Sequence, residues 1–173
     1  QFLGVDSKGP CGQKKVLTAI LDNSSSMRGQ WHLVVDAIAR VFSDQLLQNQ
    51  DDVKLILVVY NTDACEVTLP RTSSELIHIL KTRHSPRGLT NFQGAFKMAQ
   101  QGIKRAVDSF YTKHGIPSRS IDVTTLLFTD GQDTSVTPLG CVSQAATDKA
   151  RKAGDEFQYF VSSLNCRAHY TCI

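Results

Sequence analysis

The chain has 173 residues, 41% of them hydrophobic and 20% charged, with a formal net charge of +3 at pH 7. That length suits one domain with a sizeable core, and so small a charge does not by itself argue for nucleic acid or an anionic membrane as the partner. No apolar run approaches the about 20 residues needed to cross a bilayer, which excludes membrane insertion by a helix within the chain.

Residues 1–13 are polar and carry Gly4, Gly9, Pro10 and Gly12, the composition of a linker or lead-in, and residues 14–173 read as the domain. Lys14 to Leu21 is predicted as a first, buried strand. Leu33, Val34, Ala37, Ile38, Val41, Phe42 and Leu46 then recur at helical spacing, predicting a helix from Gln30 to Gln48. Val53 to Tyr60 is nearly continuous apolar sequence, as in a strand covered on both faces. After the Asn61-Thr62-Asp63 turn, Ala64 to Leu69 is expected to pair back as an antiparallel edge strand. Ser73 is the expected N-cap of a short helix through Leu76, Ile77, Ile79 and Leu80. A long helix follows Thr90, its face marked by Phe92, Phe96, Ala99, Ile103, Ala106, Val107 and Phe110, and stops near His114-Gly115. Ile121 to Thr129 is the next predicted strand, Val142 to Ala153 the next helix and Phe157 to Leu164 the last strand. Strands alternating with helices predict an α/β fold: a doubly wound, mostly parallel sheet with one antiparallel edge strand and helices on both faces. Right-handed crossovers then place the strand ends, and the residues that follow them, along one edge.

Three segments put oxygen-bearing side chains at that edge. Asp22-Asn23-Ser24-Ser25-Ser26 follows the first strand, Gly88-Leu89-Thr90 precedes the long helix, and Thr129-Asp130-Gly131 ends the strand beginning at Ile121. Carboxylates and hydroxyls are hard ligands that suit Mg²⁺ or Mn²⁺ rather than soft metals. Without a metal, the serines and Thr90 read as helix caps, and Asp130-Gly131 as a turn.

In order and separation these residues resemble the von Willebrand factor A domain family (integrin I-like, Rossmann-like in fold) and its metal-ion-dependent adhesion site. That site is a D-x-S-x-S loop, here Asp22, Ser24 and Ser26, with a distant threonine, here Thr90, and a distant aspartate, here Asp130. The resemblance spans roughly Lys15 to Leu164. It implies that Ser24 and Ser26 bind a Mg²⁺ or Mn²⁺ ion directly, that Thr90 binds directly or through water, and that Asp22 and Asp130 hold coordinated waters and the serine hydroxyls. An ion surrounded by neutral oxygens keeps most of its charge and seeks an anionic oxygen from outside. The implied function is therefore a non-enzymatic, adhesion-type interaction module binding an aspartate or glutamate of a protein partner, monomeric as an isolated domain. Arg28 and Arg87, with Arg83 and His84, flank the site and are candidates for steering that acidic partner, against the alternative of solvated loop charge. Asp133 is a further candidate for the ion's outer surroundings, and Trp31-His32 for a contact patch. The family's final helix is missing after the predicted last strand, which reads either as an unusual tail or as a missing C-terminal portion, and the Gln1 start as a processed or excised piece.

Five cysteines with no C-x-x-C pair argue against a zinc site and against a complete set of disulfides. The N-x-S/T sequon, Asn23-Ser24-Ser25, lies inside the proposed metal loop, where a glycan would obstruct the ion. Together these favour an intracellular location, with an extracellular one as the alternative. Two other functions compete with the interaction module. One is a structural or assembly domain of a larger intracellular protein. The other is a Mg²⁺-dependent phosphohydrolase, disfavoured because G-x-x-x-x-G-K-[ST], G-x-S-x-G and a D-x-D pair after a strand are all absent from the sequence.

Overall fold

The computed structural model describes residues 14–130, 144–164 and 166–173. Its strands are β1 (Lys14–Asp22), β2 (Val53–Tyr60), β3 (Ala64–Glu66), β4 (Ile121–Phe128) and β5 (Arg167–Cys172). Its α-helices are α1 (Trp31–Val41), α2 (Asp44–Gln48), α3 (Ser73–Arg83), α4 (Phe92–His114) and α5 (Gln144–Ser163). The strands form one sheet in the order β3-β2-β1-β4-β5. β1 runs parallel to both β2 and β4, β5 runs parallel to β4, and β3 alone is antiparallel.

Side chains alternate across a strand, so each face of the sheet collects its own core. Val16 and Ile20 of β1 join Ile56, Val58 and Tyr60 of β2 against Phe92, Phe96, Ala99, Ile103 and Phe110 of α4 and Phe157 and Val161 of α5. Leu17, Ala19 and Leu21, with Leu55, Leu57 and Val59, pack on the opposite face against Val35 and Ile38 of α1, Leu47 of α2 and Leu76 and Leu80 of α3. Covered on both sides, the central strands are apolar almost throughout. α4 lies so close to β2 at Gly102 that a Cβ there would meet Ile56 Cγ2 at 2.8 Å.

Several boundaries differ from the sequence reading. The predicted helix from Gln30 to Gln48 is two helices, because the chain leaves helical geometry at Phe42 (φ −90°, ψ 67°) and Ser43 (φ −62°, ψ 159°). Ser43 and Asp44 are residue types that favour helix starts, and the bend still sends both Phe42 and Leu47 into the core. The apolar spacing runs on across the break, so periodicity could not reveal it. The expected last strand, Phe157 to Leu164, lies at the C-terminal end of α5. Ala153, Phe157 and Val161 sit four apart on one helical face and are buried together, and a short aromatic run had hidden that period. The real last strand is Arg167–Cys172. α3 is capped by Thr72, whose hydroxyl accepts from the Glu75 amide at 3.2 Å, rather than by Ser73. β3 ends at Glu66, short of Leu69. α4 starts and stops where expected, with Asn91 as its cap and Gly115 in the left-handed region (φ 64°) closing it.

The order of the strands reverses between β1 and β4: β1 is followed in the chain by β2 on one side and pairs with β4 on the other. The carboxyl edge beside that reversal is where an open α/β sheet leaves a crevice. Asp22 ends β1 there, and Thr129-Asp130 follow β4.

Candidate metal centre

Asp22 is fully buried, an uncommon position for a carboxylate. Its Oδ1 accepts a hydrogen bond from the Ser24 amide at 2.9 Å, and its Oδ2 accepts one from the Thr129 hydroxyl at 2.8 Å. Burial pushes its pKa above the usual carboxylate range, hydrogen bonds from Ser24 and Thr129 offset part of that, and the nearby Asp130 charge pushes it further up. Among the described residues no cationic side chain pairs with Asp22. A buried anion in that position calls for a proton or a cation.

Ser24 is buried, Ser26 is exposed, and their hydroxyl oxygens lie 3.0 Å apart. The Ser25–Gly29 turn of 3-10 helix places them: Ser24 is its extended N-cap but makes no side-chain cap bond, so its hydroxyl is not consumed by capping. Thr90 is buried one residue before the Asn91 cap of α4, and capping falls to Asn91, whose Oδ1 accepts from the Gly94 amide at 3.2 Å. The helix-cap alternatives for Ser24 and Thr90 therefore do not account for either side chain.

The loop carrying Thr90 is sewn to the serine loop through the backbone. The Arg87 amide donates to the Asn23 carbonyl at 2.8 Å and the Ser25 amide to the Gly88 carbonyl at 3.2 Å. Gly88 needs its glycine: φ is 73°, and a Cβ would sit 2.6 Å from Thr62 Oγ1. That Thr62 hydroxyl accepts from the Leu89 amide at 3.1 Å, fixing the step into Thr90. Asp22, Ser24, Ser26 and Thr90 are thus gathered from two loops, and Asp130, exposed two residues beyond β4, joins them at the same edge.

Arg28 and Arg87 are exposed and make no ion pair among the described residues. His84 is half-buried. Burial first, then the Arg83 and Arg87 charges, hold its imidazole below the usual range, so it is neutral at pH 7 and the rim's positive charge is carried by arginine. Trp31 belongs to the core, its Nε1 donating to the Leu80 carbonyl at 3.4 Å, while His32 beside it is exposed. Asp133, Cys11 and Cys141 lie outside the described residues, and among the described residues Cys65, Cys166 and Cys172 form no disulfide. Two residues the sequence reading missed matter here. Thr129 is bonded to Asp22, and Asn23 is buried with its Nδ2 donating to the His84 carbonyl at 3.2 Å. The sequon's acceptor is therefore turned inward.

No group of three or more His, Cys, Asp or Glu is placed to hold a metal among the described residues. The donors gathered at the edge are instead hydroxyls beside a buried carboxylate, with a second carboxylate on the rim. A hard divalent cation fits this set, supplying the positive charge that Asp22 lacks.

Residues 17–132 match the model of the von Willebrand factor type A domain. The chain belongs to that family. No curated protein matches it at the level of sequence. Among solved structures, this vWA chain is similar to the vWF domain of the type V pilus tip protein Mfa5 from Porphyromonas gingivalis (TM-score 0.53, 21% identity, 70% of this chain and 39% of that one). It is also similar to the manganese-loaded TRAP protein of Plasmodium vivax (TM-score 0.58, 16% identity, 93% and 57%) and to a von Willebrand factor type A protein from Catenulispora acidiphila (TM-score 0.52, 18% identity, 93% and 39%). The vWA chain spans less than two thirds of each of these proteins, and identities this low establish the shared fold alone.

Proposed function

We propose that this vWA domain is a protein-interaction module that holds Mg²⁺ or Mn²⁺ at Asp22, Ser24, Ser26, Thr90 and Asp130 and binds an aspartate or glutamate of a partner through the ion. The observation that carries this reading is the buried Asp22 carboxylate, without a counter-ion among the described residues, beside two serine hydroxyls 3.0 Å apart. TRAP, which shares the fold, is described as manganese-loaded, the class of ion this reading assigns.

A bound ion would offer a partly neutralised positive position to a carboxylate oxygen arriving from solvent. The chain's own residues prepare that position. Ser24 and Ser26 present neutral oxygens, so they leave the ion's charge largely unspent. Asp22 keeps both its oxygens on the Ser24 amide and the Thr129 hydroxyl, which fixes its orientation. The exposed Ser26 marks the side open to a partner, and Arg28 and Arg87 draw an acidic one toward it. Their contribution falls at high salt, because exposed charges are screened within about 8 Å at physiological ionic strength.

The test is calorimetric titration of Mg²⁺ and Mn²⁺ into the wild type and Ser26→Ala. Saturable one-to-one binding that the substitution removes is the expected result. No heat of binding in the wild type at millimolar metal would sink the reading.

A further inference from the structure

We propose that Asn23 is a positioning residue for the metal site, clipping the serine loop to the loop that delivers Thr90; this rests on the metal-binding reading above. Asn23 is 3% exposed and tied in three directions. Its amide donates to the Tyr60 carbonyl at the end of β2 (2.8 Å), its carbonyl accepts from the Arg87 amide (2.8 Å), and its Nδ2 donates to the His84 carbonyl (3.2 Å). His84 is where α3 ends, and α3 is anchored by the fully buried Leu76 and Leu80. The side-chain bond therefore references the serine loop to a helix end fixed in the core. From His84 the chain runs six residues to Thr90, with further ties at Arg87 and Gly88.

The fourth polar group of Asn23 argues that this arrangement serves the site rather than the fold. Its Oδ1 is buried with no hydrogen-bond partner among the described residues. A buried amide with an open acceptor is unfavourable, and an apolar side chain would avoid that cost. Among the described residues the Nδ2 donor makes the one side-chain hydrogen bond of Asn23, and it acts on the Thr90 loop. Losing a group that holds a metal ligand in place without touching the metal typically costs about 10–100-fold in metal affinity.

The experiment is a double-mutant cycle in Mn²⁺ affinity, read by calorimetry and by the electron paramagnetic resonance signal of free Mn²⁺. It compares the wild type, Asn23→Ala, Thr90→Ala and the double variant. Asn23→Ala is expected to weaken Mn²⁺ binding about tenfold. In the Thr90→Ala background it should add nothing, because the group it positions is already gone. If Thr90→Ala is too weak to titrate, Thr90→Ser replaces it, and there Asn23→Ala is expected to lose less than in the wild type. Thermal midpoints of the metal-free proteins report whether each is folded, and Asn23→Ser stands in if Asn23→Ala is not. Equal affinity of wild type and Asn23→Ala, or losses that add in full, would overturn the proposal and leave the metal site standing. A wild type that takes up no Mn²⁺ removes the metal site itself, and the proposal with it.

Discussion

Asp22 accepts hydrogen bonds from the Ser24 amide and the Thr129 hydroxyl, but no cationic side chain lies beside it among the described residues, and its burial disfavours the ionised form. A carboxylate whose folded pKa is raised contributes stability that is present below its unfolded pKa and lost as pH rises through the folded one. At neutral pH the metal-free protein is therefore weakened by its own site. Asp22→Asn keeps an acceptor for the Ser24 amide and removes the charge. In chelator at pH 7 it should melt a few degrees above the wild type, with the gap closing as the pH approaches 4, while Mn²⁺ binding is lost. A lower melting point for the variant would show that ionised Asp22 is not a burden on the fold. The placing of Asp22, Ser24 and Ser26 at the end of the first strand was legible in the sequence because two-residue spacing after an apolar strand is a local signal. Thr129 was not, since its bond to Asp22 joins residues 107 positions apart and exists only once β4 is seated beside β1. Asn23 was not either, because its partner is the end of a helix packed on the sheet.

Among the elements, α4 shows how tightly the site's scaffold is built. Gly102 in a helix interior is about 1 kcal/mol less favourable than alanine on propensity alone. A Cβ there would meet Ile56 Cγ2 at 2.8 Å, and Ile56 is itself buried. Overpacking of that kind typically costs about 1–3 kcal/mol, so contact outweighs propensity. Gly102→Ala should lower stability by about 1 kcal/mol in chemical denaturation; a gain would mean that Ile56 moves aside freely. The central strands and α4 were readable because continuous burial of a strand and a long amphipathic face each leave an unambiguous pattern. The break at Phe42-Ser43 and the nature of residues 157–164 were not. In both places the apolar spacing is compatible with more than one geometry, and tertiary contact decides: Leu47 reaches the core only after a bend, and Phe157 stacks on Phe96 with ring centres 5.0 Å apart only from a helix.

For the molecule as a whole, the metal-binding reading proposed above links occupancy to stability, because the site would bind its ion only when folded. At 100 times the dissociation constant, the ligand adds about 2.7 kcal/mol. For a chain of this length each kcal/mol moves the melting temperature by about 2–4 °C. Saturating Mn²⁺ should therefore raise the wild-type midpoint by about 5–10 °C and leave Ser26→Ala unmoved. Equal shifts in the two proteins would point to metal binding elsewhere.

The seam between the two site loops is made of main-chain groups, the Arg87 amide on the Asn23 carbonyl and the Ser25 amide on the Gly88 carbonyl, and the Asn91 amide on the Asn61 carbonyl at 3.0 Å ties the Thr90 side of it to the turn after β2. Peptide groups are the same whatever side chain they carry. The exposed side chains of Ser25, Arg87 and Leu89 can thus be exchanged without unpicking the seam, while Gly88 between the last two cannot. The domain has in effect a constant frame and an interchangeable rim: on the reading proposed above, the side chains that would choose a partner can change while those that would seat the ion stay in place.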